Sequence, residues 1–224
     1  MKNKFLIRFF DVMFSSIAIL ILLPLFVLVI IILSLSGEGE IFYLQKRVGT
    51  HKKLFNVIKF ATMMKNSEFI GNKTITVRND PRVLFFGKIL RKTKVNELPQ
   101  LINILIGDMS IVGPRPLLQK QFFFYPSEIQ NKISTVRPGL TGIGSLVFRD
   151  EEQYFLSTEN PDEVYKKKIS PLKGFLELWF VENHSLYLYF KIIIFTVYVI
   201  IFPKNNVISF FEKNLKDKYD EILG

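Results

Sequence analysis

Residues 12–37 read VMFSSIAILILLPLFVLVIIILSLSG, with no charged side chain between Asp11 and Glu38. Crossing a hydrocarbon core takes about 20 helical residues, so this run is long enough to do it. Pro24 stands in its middle. Proline removes a backbone donor and crowds the residue before it, which predicts a kink or a break there. Lys2, Lys4 and Arg8 precede the run, and Lys46, Arg47, Lys52, Lys53 and Lys59 follow it. Cytoplasmic flanks carry the Lys/Arg excess, and both flanks qualify. A segment that enters and leaves by one face satisfies both, whereas a straight span leaves one side wrong; on residues alone both readings stand. The run is too long for a signal peptide, and no small-residue cleavage site follows it. Arg8 and Asp11, one helical turn apart, are expected to pair at the membrane surface.

Around this segment the chain is basic. It has 224 residues, 30 Lys+Arg against 20 Asp+Glu, a formal net charge of +10, and yet 49% hydrophobic residues including 23 Phe. A disordered basic tail would be poor in such residues. The absence of Cys excludes disulfides, Cys-ligated metals and a thiol nucleophile. His51 and His184 are the only histidines, which excludes a multi-His metal site. Charge and greasiness together point to an anionic partner, a membrane surface, or both.

Beyond Glu40 the composition is that of a soluble domain. Ile41–Leu44 and Leu54–Ile58 read as two strands around a turn at Gly49-Thr50-His51. From Lys59 to Val95 nine basic residues face only Glu68 and Asp80. Such a run is usually a solvated face, but this one leads into the densest motif of the chain. Asn96 to Gly107 reads as a helix, with Leu98, Leu101, Ile102 and Leu105 on one stripe, Asn96 as N-cap and Gly107 as stop. Residues 138–144 and 159–171 read as loops. Leu186 to Phe202 is a second apolar tract whose uninterrupted part is too short to span, hence a core or interfacial helix. The stretch from Lys204 is amphipathic and nearly neutral.

The chemistry concentrates in Arg91-Lys92-Thr93-Lys94-Val95-Asn96-Glu97-Leu98-Pro99-Gln100 and in Gly107-Asp108-Met109-Ser110-Ile111-Val112-Gly113-Pro114-Arg115-Pro116. A helix start offers free N–H groups to anions, and Arg91 adds a planar fork of donors. Arg115 lies between two residues of fixed φ, so its direction is set before a ligand arrives. Glu97 can ligate a divalent cation or move a proton. No P-loop or GxGxxG is present. Taken singly, each element has a structural explanation as cap, dipole-favoured Glu or turn proline.

Together with Arg8-x-x-Asp11, Gln45-x-Arg47-x-Gly49, Lys59-Phe60-x-Thr62-Met63, Glu97-Leu98-Pro99-Gln100-Leu101-x-Asn103 and Arg137-Pro138-Gly139-x-Thr141-Gly142, these blocks resemble the bacterial sugar transferases. These are small monotopic polyprenyl-phosphate phosphoglycosyl transferases. The resemblance implies a helix-rich α/β fold with a re-entrant membrane helix-break-helix over 1–38 and a catalytic domain over 39–224, with interfacial helices near 174–203. It implies transfer of a sugar-1-phosphate from a UDP-sugar to polyprenyl (undecaprenyl) phosphate, with release of UMP and dependence on Mg²⁺, as the first membrane step of glycan assembly. The location would be the cytoplasmic face of a bacterial inner membrane. Lys59, Thr62, Arg91, Arg115, Arg137, Arg149 and Glu177 would contact phosphate or substrate, and Glu97 would hold the metal. Membrane lipids are expected partners and nucleic acid is not, since the chain lacks any recognition motif for it; a homo-oligomer is compatible with the sequence.

One position departs from the family. Its Asp-Glu dyad, whose Asp is the nucleophile, appears here as Asn96-Glu97. A carboxamide is a poor nucleophile and a weaker metal ligand. Either Glu97, another carboxylate or direct transfer takes over, or the site is disabled, in which case the chain is an inactive lipid-phosphate-binding scaffold or an altered form. The segment Thr141–Arg149 also differs, with Ser145 for a family Gln and Phe148 for a Gly. The acidic Asp150-Glu151-Glu152 that follows reads as a solvated turn or a source of a replacement carboxylate.

Overall fold

The computed structural model describes residues 3–36, 38–67, 80–149 and 161–202, together with Phe211, Leu215 and Asp217. Lys73 and Arg78 of the basic run, the acidic turn at 150–152 and most of the stretch from Lys204 lie outside these described residues. The uncharged run belongs to one helix, α1 (Lys4–Leu35), which continues through Pro24. The expected division into two helices is therefore absent from the backbone. At about 1.5 Å per residue such a helix is about 48 Å long, well beyond the roughly 30 Å of a hydrocarbon core.

The packing of α1 explains its length. Ile7, Asp11, Ser15, Phe26, Val29 and Leu33 are buried, and Ala18, Ile19 and Leu22 pack against Val57, Leu101, Ile104 and Met109. Farther along, Phe26, Val29 and Leu33 share a cluster with Phe60 and Leu90. The domain thus grips the helix from Ile7 to Leu33. The opposite face leaves Phe5, Phe9, Leu20, Ile21, Leu28, Ile31 and Leu35 exposed. Arg8 and Asp11 do not hydrogen-bond each other. Arg8 donates to the carbonyls of Ile104 and Leu105, while Asp11 accepts from Ser110 Oγ, the Ile111 N–H and Tyr189 Oη at 3.0, 2.9 and 2.9 Å.

The predicted strands form an antiparallel hairpin, β1 (Phe42–Val48) and β2 (Leu54–Phe60), with Tyr43 opposite Lys59 and Arg47 opposite Phe55. Helix α2 is Phe85–Lys92. A Cβ on its Gly87 would lie 2.2 Å from the Thr62 carbonyl oxygen, so only glycine lets α2 approach the backbone after β2 this closely. The predicted helix over 96–107 begins later: Val95–Glu97 is a 3-10 turn and α3 is Gln100–Ile106, stopped by Gly107 at φ 96°. Asn96 is not its N-cap. The buried face is also different, formed by Gln100, Leu101, Asn103 and Ile104, with Ile102 and Ile106 exposed. A helix apolar on both faces carries no reliable stripe. The Asn103 amide extends the edge of β2, accepting from the Ile58 N–H at 2.9 Å and donating to the Asn56 carbonyl at 2.8 Å.

After β3 (Ser110–Val112) come α4 (Gln119–Phe122) and α5 (Ser127–Ile133). Residues 138–144, expected to be loop, instead hold β4 (Gly139–Thr141), parallel to β3, and the start of α6 (Ile143–Val147). Part of 159–171 is helical too, as α7 (Pro161–Val164) continuing into a wide turn at Tyr165–Ile169. Helix α8 (Ser170–Glu182) is a core helix, burying Leu172, Leu176 and Phe180. Helix α9 (Leu186–Ile201) buries Leu188, Tyr189, Ile192 and Val199, and exposes Tyr187, Ile194, Val197, Ile200 and Ile201. Of the two helices in 174–203, α9 alone presents an apolar outer face.

Candidate active site

The turn at Val95–Glu97 follows Lys94, whose φ of 59° reverses the chain after α2. Asn96 and Glu97 thereby reach a cleft of about 450 Å³ also lined by Gln45, Arg47, Lys59, Thr62, Arg91, Lys94 and Arg115. The hairpin contributes by alternation: Tyr43, Gln45 and Arg47 fall on one face of β1, and Lys59 pairs with Tyr43 across the ladder. Arg47 is held by Gln45 Oε1, at 3.1 Å from Nε and 2.6 Å from Nη2. Arg115 is set by backbone packing. Gly139 and Gly142 leave no room for a Cβ against Gly113. The Gly113 N–H donates to the Thr141 carbonyl and the Gly139 N–H to that of Pro114, at 2.9 and 2.8 Å.

Glu97 is the electrostatic centre. Its Oε1 lies 3.8 Å from Arg115 Nη2 and 3.9 Å from Lys59 Nζ. Burial pushes its carboxyl up, but Arg115, Lys59, Lys94 and Arg47 outweigh that and hold it at about 2. Burial brings Lys59 down to about 7, against the pull of Glu97 and with further lowering by Arg47, Arg115 and Arg91. Asn96 is buried, and its Oδ1 has no hydrogen-bond partner among the described residues. Glu40, the other carboxylate among the described cleft residues, pairs with Lys65 at 3.1 Å.

Of the residues expected at the site, Lys59, Thr62, Arg91, Asn96, Glu97 and Arg115 come together in this cleft. Three do not. Arg137 donates from Nε to the Gly107 carbonyl at 2.8 Å and lines a separate cavity with Lys4, His51 and His184. Arg149 lines a neighbouring groove of about 530 Å³ and donates to the Val199 carbonyl. Glu177 lies behind the site, buried, with Oε1 accepting the Arg115 N–H at 3.2 Å. It is a positioning residue for Arg115. Sequence reasoning left Arg47 and Lys94 out of the site; the period-2 register with Lys59 was the available signal for Arg47.

A profile of the bacterial sugar transferases matches residues 2–203. The chain belongs to that family. It is 31% identical over 200 residues to the undecaprenyl-phosphate galactose phosphotransferase of Salmonella typhimurium, a match covering 83% of this chain and 38% of that one. The chain thus spans well under half of that relative. It is 36% identical over 161 residues to the exopolysaccharide production protein ExoY of Rhizobium meliloti (66% and 71% covered). With the exopolysaccharide production protein PSS of Rhizobium leguminosarum bv. phaseoli it shares 32% over 195 residues (85% and 92%). Within this bacterial sugar transferase the cationic cleft and the Asn96-Glu97 pair lie inside the matched range.

Proposed function

We propose that this sugar transferase moves a sugar-1-phosphate from a UDP-sugar to polyprenyl phosphate, releasing UMP, at the cytoplasmic face of a bacterial inner membrane. The observation that carries this reading is the Glu97 carboxylate set among Arg47, Lys59, Lys94 and Arg115 in a cleft beside an apolar surface. Both substrates bring phosphates and one is a lipid. Phosphoryl transfer asks a protein mainly for positioning and charge stabilisation, which this cluster supplies. Several relatives carry galactose in their names, so UDP-galactose heads the donor panel.

Asn96 carries no nucleophilic oxygen, and the Glu97 carboxylate is engaged, with Oε1 3.8 Å from Arg115 Nη2 and 3.9 Å from Lys59 Nζ, which makes it a weak nucleophile. The transfer we propose is therefore direct. An acceptor phosphate oxygen attacks the sugar-bearing phosphorus of the donor, the bond from that phosphorus to the UMP oxygen breaks, and UMP departs with the electron pair. The acceptor is already anionic, so no general base is needed.

Mg²⁺ fits the donor set. Asn96 lines the same cleft as Glu97, and its buried Oδ1 has no partner among the described residues; Mg²⁺ accepts one or two protein oxygens with phosphates and water completing its shell. Those two residues would hold it, and it would neutralise charge on the transferring diphosphate. Among the described residues no cluster of three His, Cys, Asp or Glu offers an all-protein cage.

For the membrane, we propose that α1 lies along one face of the bilayer as an unbroken interfacial helix, with both ends on the cytoplasmic side and its exposed apolar side in the lipid. Its support is the grip of the domain on the helix from Ile7 to Leu33, which a helix crossing to the far side would not have. The deciding assay incubates the detergent-solubilised chain with Mg²⁺, undecaprenyl phosphate and radiolabelled UDP-sugars. Labelled lipid and equimolar UMP are expected; no UMP from any donor would overturn the reading in favour of an inert scaffold.

A further inference from the structure

Two cavities meet at the Glu97–Arg115 pair. The cleft and the neighbouring groove share Arg47, Lys94, Glu97 and Arg115, and differ in everything else. Away from the shared residues the cleft is polar, with Gln45, Lys59, Thr62 and Arg91. The groove is mostly apolar, with Leu140, Leu146, Ile193, Val197 and Ile200. Its wall on α9 runs out to Val197 and Ile200, which are 53% and 74% exposed on the helix's apolar outer face. Ser145 Oγ, which also lines the groove, is buried without a hydrogen-bond partner among the described residues.

Two further cations line the groove, Arg149 tied to the Val199 carbonyl and Lys173 set over the Phe148 and Tyr165 rings, each already engaged by the protein. A groove with Arg47, Lys94 and Arg115 where it joins the cleft and an apolar wall opening outward suits one class of occupant, an amphiphile with an anionic head. A nucleotide sugar has no apolar part to cover that wall, and an inorganic anion would leave it wet. We infer that this groove seats the lipid acceptor, with its phosphate at Arg47, Lys94 and Arg115 and its first isoprene units along α6 and α9, while the donor occupies the polar cleft. The inference rests on the transferase reading for the identity of the lipid as an isoprenoid. Each substrate then has its own way in, and the two phosphates meet across Glu97. Arg115 touches both compartments, so it serves donor and acceptor alike.

The test reads binding and does not need turnover. A photoreactive farnesyl phosphate is cross-linked to the full chain in detergent and the labelled peptides are mapped. Labels are expected in α6 and α9. Undecaprenyl phosphate should displace them at least tenfold better than undecaprenol, inorganic phosphate or a diacyl phosphatidic acid. Val197→Trp and Ile200→Trp, both at exposed positions, should each cut labelling at least fivefold, and Ile194→Trp, exposed on the same helix but outside the groove lining, should leave it unchanged. Labelling confined to the outer face of α1, equal displacement by undecaprenol, by inorganic phosphate or by phosphatidic acid, or no loss in Val197→Trp or Ile200→Trp at unchanged melting temperature would overturn the assignment. Labelled α9 without UMP release would defeat the transferase reading and leave the groove standing; UMP release with unlabelled α9 would do the reverse.

Discussion

The backbone N–H of Arg115 donates to a buried oxygen of Glu177 at 3.2 Å. The carboxylate belongs to α8, and it reaches the segment after β3 past Gly144, where a Cβ would come within 2.4 Å of Glu177 Oε1. The arginine that pairs with Glu97 is therefore aimed from behind by a second, buried acid.

Burial raises Glu177 to about 7, partly offset by the Arg115 N–H, Lys173 and Arg115 itself. Its unfolded value lies near 4.5, so the native state holds the extra proton between these values. Stability is then full below about pH 4.5 and declines as pH rises to about 7. Glu177→Gln keeps an oxygen for the Arg115 N–H but removes the titration. The variant should match the wild type near pH 4.5 and exceed it at pH 8 by on the order of 3 kcal/mol, at about 1.4 kcal/mol per unit. Its kcat should stay within about threefold, because a glutamine still positions Arg115. Denaturant unfolding at several pH values checks the first claim; a gap that is constant with pH would refute it.

Lys59 supplies a second pH dependence, with the opposite chemistry. Its amine is charged below about 7 and neutral above, and only the ammonium attracts donor phosphates. For the free enzyme, kcat/KM for the donor should fall as pH rises through about 7. Lys59→Arg should retain activity and carry the plateau to pH 9, since a guanidinium does not titrate there. Glu97, held at about 2, should contribute no acid limb above pH 4. A pH profile unchanged by Lys59→Arg would contradict this.

Asn96 and Glu97 can be separated by their dependence on acceptor. Direct transfer predicts no UMP without polyprenyl phosphate, so a rapid-quench experiment on enzyme and donor alone should show no burst. Asn96→Asp installs a carboxylate beside Glu97 and should produce a burst of up to one UMP per enzyme, with kcat changed less than about tenfold. Glu97→Gln should cost at least about 100-fold in kcat. A wild-type burst that disappears in Glu97→Gln would make Glu97 the nucleophile and exclude direct transfer.

The chain contains no cysteine, so single probes report cleanly. Cysteines at Asn3 and Glu38 flank α1. In sealed inside-out vesicles both should react with a membrane-impermeant maleimide, and in right-side-out vesicles neither should. Opposite accessibility of the two would establish a straight span.

The hairpin, the α9 tract and the clustering of Arg91, Glu97 and Arg115 were legible in the sequence, because each rests on local signals: short apolar runs around a turn, an apolar tract, and motifs close along the chain; Lys59 joined them through the family resemblance alone. The failures share a different cause. β3 and β4 have three residues each and pair parallel across a long separation, so they leave no periodic trace. Leu98, Leu101, Ile102 and Leu105 suggested one buried stripe, but of these only Leu101 is buried and Ile102 faces outward, since a helix apolar on both sides has no amphipathic contrast. Arg137 carries a motif as clear as that of Arg115, yet it folds onto the Gly107 carbonyl in another cavity.

By itself the sequence determined the apolar segment, the basic balance, the family and the Asn96 substitution, all of which follow from residue identity and short-range order. Only the tertiary structure decided that α1 is gripped along its length, that Glu177 stands behind Arg115, and that a polar cleft and an apolar groove meet at Glu97. Those relationships join residues dozens to well over a hundred positions apart, and depend on backbone approaches such as Gly139 on Gly113. No local pattern records which distant chain segment fills the space a missing side chain leaves open.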